Sequence, residues 1–442
     1  MSLAAFLVIV FFLTKIIGLV TGEELAFVLG GVGVLVGWYA WGSDGLSIAM
    51  TRVYNQGTSY SMIAIPMFVL MANFLTHSKV ADGLFFSIRY LLGPLKGGLG
   101  LAVIVVSTIF AATTGIVGAS VVTMGMLAVP ILLKFNYNKP LACGMVCAGG
   151  SLGILIPPSI MLVTLGTYAE VSVGKLFFAA IIPGLTLAFC YMVYIAVVCH
   201  IHPDYGPAMS PEELAEMPFK KRVTGSLINL VPPLILILAV LGSIFAGIAT
   251  PTDAAGMGAF FSLLMAICYK QFSWKMMFDS LVDTAKTTAM VFIILFGAAA
   301  YSSIFMSLNG DDLIIALVEN MGVGKWGALA IFFVIVFIMG CFLDWTGIVM
   351  ICMPIFLPIM DMFGFDRMWL CATLAVLMQT CFMTPPFGFA LFYIKGILPP
   401  NVGIGDVYRG VIPFITIVCI VTVLCVVFPG IVTWLPGMVI GT

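Results

Sequence analysis

Charge is scarce in this sequence: Asp, Glu, Lys and Arg make up 8% of its 442 residues, where an ordinary soluble domain carries about a quarter. The net charge is −1 and no basic tract occurs, which removes nucleic acid from the possible partners. Histidine is rarer still, with His77, His200 and His202 at span ends or in loops, where interfacial placement accounts for them. The eleven cysteines, from Cys143 to Cys425, form no CxxC pair and have no histidine cluster nearby, so neither a zinc site nor a disulfide framework is indicated. They read as small apolar packing residues. No Ser/His/Asp, HExxH or Walker-type constellation is present, which argues against a membrane-embedded enzyme.

Apolar residues fill the space instead, at 62% of the chain. A bilayer crossing takes about 20 of them in a row, and hydropathy places spans near 4–20, 25–43, 60–76, 141–165, 173–200, 228–249, 253–269, 285–306, 368–396 and 409–428. The first has no basic n-region and no small-residue cleavage site, so it reads as a retained helix rather than a signal peptide. The expected fold is an all-α polytopic membrane protein.

Two stretches, 98–133 and 326–360, are too short for two full spans with a loop. Each is interrupted in its middle, by Ala112-Thr113-Thr114-Gly115 and by Asp344-Trp345-Thr346-Gly347. They read as re-entrant hairpins, since non-helical backbone at membrane depth survives only under cover of protein or water; a pair of short spans joined by a tight turn is the plainer alternative. The interruptions belong to a duplication. Pro130 precedes Pro157-Pro158 as Pro358 precedes Pro385-Pro386, at an offset of 358 − 130 = 385 − 157 = 228, and Pro183 answers Pro413. The chain divides into a first repeat over 1–200 (scaffold helices 1–76, hairpin 98–133, broken helix 141–165), a cytoplasmic linker over 201–225, and a second repeat over 226–442 (scaffold helices 228–306, hairpin 326–360, broken helix 368–396). Ser210-Pro211-Glu212-Glu213 predicts a short surface helix within the linker.

Thr21 with Glu24, and Thr250 with Asp253, are spaced as capping boxes. Both acids read as helix caps first and as ion-pathway groups second. If each repeat has an odd number of crossings, the copies are inverted, and most Lys and Arg fall on one side, with Lys15 toward it and Lys79, Lys134 and Lys220 among them. Only Arg52, Lys175, Lys325 and Arg367 fall on the other. The first side is the cytoplasm, which puts both termini outside.

Paired broken elements in inverted repeats point to a transporter site near the midplane, where helix N-termini face an anion and freed carbonyls hold a cation. A double proline removes two backbone donors and frees carbonyls in the preceding turn. Hydroxyl and carbonyl oxygens there suit sodium by analogy with other hard cations, although a kink relieved by neighbouring helices and water is the alternative. Candidate substrate residues are Thr113, Thr114, Gly115, Ser120, Thr346, Gly347 and Thr380. Candidate sodium residues are Gly115, Ser120, Gly150, Ser151, Gly153, Pro157, Asp344, Thr346, Gly347, Cys381, Thr384 and Pro385. Asp344, the one acid at a hairpin tip, reads either as a group that couples transport to sodium or protons or as a helix cap. Sodium is the coupling ion expected, with no other cofactor.

The run Phe110-Ala111-Ala112-Thr113-Thr114-Gly115-Ile116-Val117-Gly118-Ala119-Ser120, with Pro130 and Gly149-Gly150-Ser151-Leu152-Gly153-Ile154-Leu155-Ile156-Pro157-Pro158-Ser159 after it, resembles the large membrane subunit of tripartite ATP-independent periplasmic (TRAP) transporters. Ala64-Ile65-Pro66-Met67-Phe68, Ala249-Thr250-Pro251-Thr252-Asp253 and Thr384-Pro385-Pro386-Phe387-Gly388 are also similar to family motifs. The resemblance implies a multi-pass protein of the bacterial inner membrane that takes up a small organic acid with sodium by an elevator motion. It also implies two separately encoded partners, a small four-helix membrane subunit and a periplasmic solute-binding protein. Val117-Gly118-Ala119-Ser120 departs from a commonly serine-rich tip, and Asp253 stands where glutamate is commoner. The surroundings of Met378-Gln379-Thr380 look like the branch linked to 2-oxo acids, lactate, mannitol or chloroaromatics rather than to sialic acid; C4-dicarboxylates are also among the substrates that the resemblance implies. A self-sufficient dicarboxylate or anion symporter or exchanger of the same fold is the alternative.

Overall fold

The computed structural model describes residues 10, 14, 25–78, 80–215, 217–310, 315–316 and 322–440. The expected first helix over 4–20, the Glu24 cap, Lys15 and Lys79 lie outside them, apart from residues 10 and 14 of that helix. The first half contains α1 (Leu25–Trp41), α2 (Ser43–Gly57), α3 (Ala64–His77), α4 (Val80–Leu92), α5 (Gly98–Thr114), α6 (Val117–Lys134), α7 (Lys139–Ser151), α8 (Ile160–Tyr168) and α9 (Val173–Ile201). After the linker helix α10 (Pro211–Ala215) come α11 (Phe219–Phe245), α12 (Pro251–Cys268), α13 (Trp274–Ser307), α14 (Lys325–Gly340) and α15 (Trp345–Met362). The chain closes with α16 (Arg367–Leu377), α17 (Thr380–Met383), α18 (Phe389–Lys395), α19 (Ile404–Val427) and α20 (Gly430–Ile440).

Eight helical segments among the described residues are long and apolar enough to cross a membrane, α6, α9, α11, α12, α13, α15 and α19 among them, the eighth being Tyr60–His77. Hydropathy missed α2, whose Asp44, Arg52, Asn55 and Gln56 dilute its apolar face. It also started α11 and α13 too late, because their first turns carry Lys220, Lys221 and Arg222, and Lys275. All four expected interruptions are present, between α5 and α6, α7 and α8, α14 and α15, and α16 and α18.

The two halves pack into each other. At the offset of the duplication α12 corresponds to α1, and α13 to α2 and α3; α1 lies along α13 while α3 lies along α12. Nearer the breaks, α7 crosses α19 at backbone contact: a Cβ on Gly144 would lie 2.1 Å from the Gly410 carbonyl oxygen. Small residues let membrane helices meet this closely where burial of apolar surface gives no net drive. At the far end of α15, Arg367 forks onto Asp361 (3.0 and 2.7 Å) and donates to the Ala169 carbonyl (3.1 Å), tying α15 and α16 to α8.

The expected capping box that falls on described residues, at α12, is formed, and the short helix expected in the linker carries a similar one. In the linker, Ser210 and Glu213 close a reciprocal pair at the start of α10 (3.3 and 3.2 Å). At α12 the Thr250 hydroxyl accepts from Asp253 N–H (3.2 Å), the carboxylate accepts from Thr250 N–H (3.2 Å), and Tyr60 donates to the other carboxylate oxygen (2.8 Å). Asp253 thus caps its own helix and ties that helix end to Tyr60, in the turn before α3. Thr250→Ala is expected to lower stability by about 1 kcal/mol, read as a fall in the thermal midpoint.

Candidate transport site

The first hairpin turns in two residues. Gly115 closes α5 at φ 61°, in the left-handed region that favours glycine, and Ile116 is extended (φ −133°) before α6 begins at Val117. The tip is laced internally: Thr114 and Ser120 hydroxyls lie 2.8 Å apart, and Ser120 donates to the Ile116 carbonyl (3.0 Å). Thr113 donates back to the Phe110 carbonyl (2.6 Å) and faces a tight crevice with Met71, Pro158 and Val240.

The first broken helix wraps this tip. After Ser151 the chain passes through a single 3-10 turn into Pro157-Pro158, whose peptide bond is cis, and resumes as α8 under a Ser159 cap. Gly150 lies against the Val121 backbone, Gly153 faces the Ser120 hydroxyl, and Gly115 faces the Pro158 carbonyl, all so closely that a Cβ would approach within 3.0, 3.2 and 3.1 Å respectively. Ser151 turns back onto its own helix, donating to Ala148 (2.9 Å). Gly115, Ser120, Gly150, Gly153 and the proline turn therefore form one cluster with two hydroxyls and the Ile116 and Pro158 carbonyls at its centre.

The second half repeats the plan with different chemistry. Asp344 caps α15, one oxygen accepting from Gly347 N–H (3.1 Å) and the other from Thr346 N–H (3.3 Å) and the Thr346 hydroxyl (2.6 Å). Cys381 packs on Gly340, where a Cβ would lie 2.7 Å from its sulfur. Thr380 and Thr384 donate to Leu377 and Thr380 carbonyls (2.8 Å each), ahead of a second cis peptide at Pro385-Pro386. Between them Gln379 donates to Ala375 (3.1 Å), and its fully buried amide oxygen has no hydrogen-bond partner among the described residues.

The two tips meet at a cavity of about 390 Å³, which the broken helices border on either side of their proline turns. Residues 115–118 and 344–346 border it from the hairpins, Ile154, Ile160, Phe382, Phe389 and Tyr393 from the broken helices, and Thr287, Met290, Val291 and Ile294 from α13. Of the residues singled out in the sequence, Gly115, Asp344 and Thr346 line it. Thr113, Thr114, Ser120, Gly150, Ser151, Gly153 and Pro157 stand behind the first tip; Gly347, Thr380, Cys381, Thr384 and Pro385 stand behind the second. Four helices begin at the cavity wall, α6, α8, α15 and α18, so their positive ends lie at it. Its volume falls within the range of small-molecule sites. A larger cavity of about 480 Å³, between residues 59–64, 163–174 and 250–252, touches none of the four breaks.

A family model described as "Tripartite ATP-independent periplasmic transporter, DctM component" matches residues 7–431. The chain belongs to this family. It is 30% identical to the C4-dicarboxylate TRAP transporter large permease protein DctM of Pseudomonas aeruginosa, with 89% of this chain and 90% of that one covered. It is 27% identical to the sialic acid TRAP transporter permease protein SiaT of Haemophilus influenzae, over 92% of this chain and 67% of that one. The fold is similar to the Alcanivorax borkumensis YdaH transporter, at a TM-score of 0.67 and 15% identity, over 93% of this chain and 98% of that one. A TRAP large permease is a multi-pass inner-membrane transporter subunit and not an enzyme. The wall of this permease that sequence reasoning missed is α13: Thr287, Met290, Val291 and Ile294 sit on an unbroken helix, where no proline, glycine or charge marks them.

Proposed function

We propose that this permease imports a small carboxylate with sodium, and that the cavity between the hairpin tips holds the carboxylate while the clusters behind the tips hold the cation. The observation that carries the reading is the meeting of both tips and the flanks of both broken helices at one cavity, with four helix N-terminal ends at its wall. Helix ends favour an anion without a basic side chain. Hydroxyl, carbonyl and amide oxygens behind the tips, with Asp344 on the second, suit a hard cation. The relatives' names also point to organic anions: C4-dicarboxylate, sialic acid and, in Oleidesulfovibrio alaskensis, isethionate.

In this reading the two hairpins and broken helices move as one body against α1–α4 and α11–α13, the elevator motion. A periplasmic solute-binding protein delivers the acid, and a small four-helix membrane subunit braces the static helices. The test is uptake into proteoliposomes that contain both membrane subunits, with the binding protein outside. An inward sodium gradient should drive accumulation. Full uptake from a proton gradient without sodium overturns the sodium assignment, and undiminished uptake without the binding protein makes the permease a self-sufficient symporter.

A further inference from the structure

None of the residues lining the cavity between the tips is Lys, Arg or His, and the one carboxylate among them is Asp344. The helix starts at its wall are unequal. Asp344 already occupies the first N–H groups of α15, Ser159 caps α8, and α18 is a single short helix of seven residues. Neither α6, which begins at Val117 and Gly118, nor α18 has a side-chain cap, and of the two only α6 is longer than about two turns. The Tyr393 ring lies against that start, with its hydroxyl 3.3 Å from where a Gly118 Cβ would be. Among these helix starts, the α6 N–H groups with the Tyr393 side chain beside them are the place left for a carboxylate. Across from it the α13 wall is Met290, Val291 and Ile294, relieved only by Thr287.

We infer that the membrane cavity itself selects acids with a single carboxylate and an apolar body, such as branched-chain or aromatic monocarboxylates, and rejects dicarboxylates and polyhydroxylated acids. This rests on the cavity being the substrate site. A second carboxylate would face either Asp344 or the aliphatic wall, stripped of water with no cation to receive it, and each sugar hydroxyl would lose its water partners in the same way. A branched or aromatic body instead gains from burial against Met290, Val291 and Ile294. The selectivity would separate this chain from the C4-dicarboxylate permeases it resembles, and would act in addition to any choice made by a binding protein.

The test bypasses the binding protein. The purified complex of the two membrane subunits is titrated in sodium with 4-methyl-2-oxopentanoate, succinate and gluconate, and binding is read by calorimetry. The first acid is expected to bind about tenfold tighter than the other two, or better, and this ratio needs no variant. Met290→Arg, which adds a cation to the α13 wall, should raise succinate affinity and lower that of 4-methyl-2-oxopentanoate; Tyr393→Phe should weaken the latter about fivefold. Equal or tighter binding of succinate to the unmodified complex, with Met290→Arg still shifting affinities, overturns the preference and leaves the cavity as the site. Affinities untouched by both substitutions overturn the preference and the site together.

Discussion

Asp344→Asn should raise the half-saturating sodium concentration for uptake by roughly thirtyfold while leaving the protein folded. Asparagine caps a helix about as well as aspartate, its single amide oxygen keeping one of the two N–H groups, Gly347 or Thr346, that the two Asp344 oxygens serve separately. The substitution therefore removes the charge and keeps the cap. A unit charge about 4 Å from a cation contributes about 4 kcal/mol at an effective dielectric of about 20. Asp344 is partly exposed, so we take about half of that after solvent screening, and the remaining ~2 kcal/mol is the thirtyfold expected. Asp344→Ala removes the cap as well and should also lower the thermal midpoint. Unchanged sodium dependence in Asp344→Asn would reduce the residue to a cap, and loss of pH dependence with sodium dependence intact would make it a proton carrier.

That two-part role shows how far the sequence could be read. The acid at the tip was visible as either a coupling group or a cap; the structure makes it a cap that also borders the cavity, which spacing alone does not disclose. The four breaks were legible because backbone chemistry marks them: Gly115 needs a left-handed φ, and prolines at 157, 158, 385 and 386 interrupt helical hydrogen bonding. Hydropathy fails where polarity is mixed, so the amphipathic α2 and the charged first turns of α11 and α13 were missed or clipped. Thr287 and Met290 lay beyond reach for a different reason. Their place in the site comes from α13 packing beside α15, a contact between helices that no local pattern along α13 announces.

Gly150→Ala should cut uptake by about a hundredfold, although alanine in place of a helical glycine ordinarily stabilises by about 0.5–1 kcal/mol. The two effects oppose each other, and geometry decides. A Cβ at position 150 would lie 2.4 Å from a Val121 methyl and 3.0 Å from the Val121 backbone nitrogen. The methyl can turn only by leaving the preferred rotamer of a fully buried helical valine, and the backbone cannot move without its helix, so α6 must shift on α7 at a cost of about 1–3 kcal/mol. Since α6 carries Val117 and Gly118 to the cavity, the shift displaces the first tip from the second, and a misplacement of about 1 Å in a reacting geometry costs about a hundredfold. Gly31→Ala, on α1 with open space around the new methyl, isolates the helix-propensity gain and should leave uptake unchanged. Adding Val121→Ala to Gly150→Ala removes the methyl contact and should recover part of the loss. Normal uptake by Gly150→Ala alone would show that α6 is not held against α7 during transport, and the cluster behind the first tip would then no longer stand as a cation site.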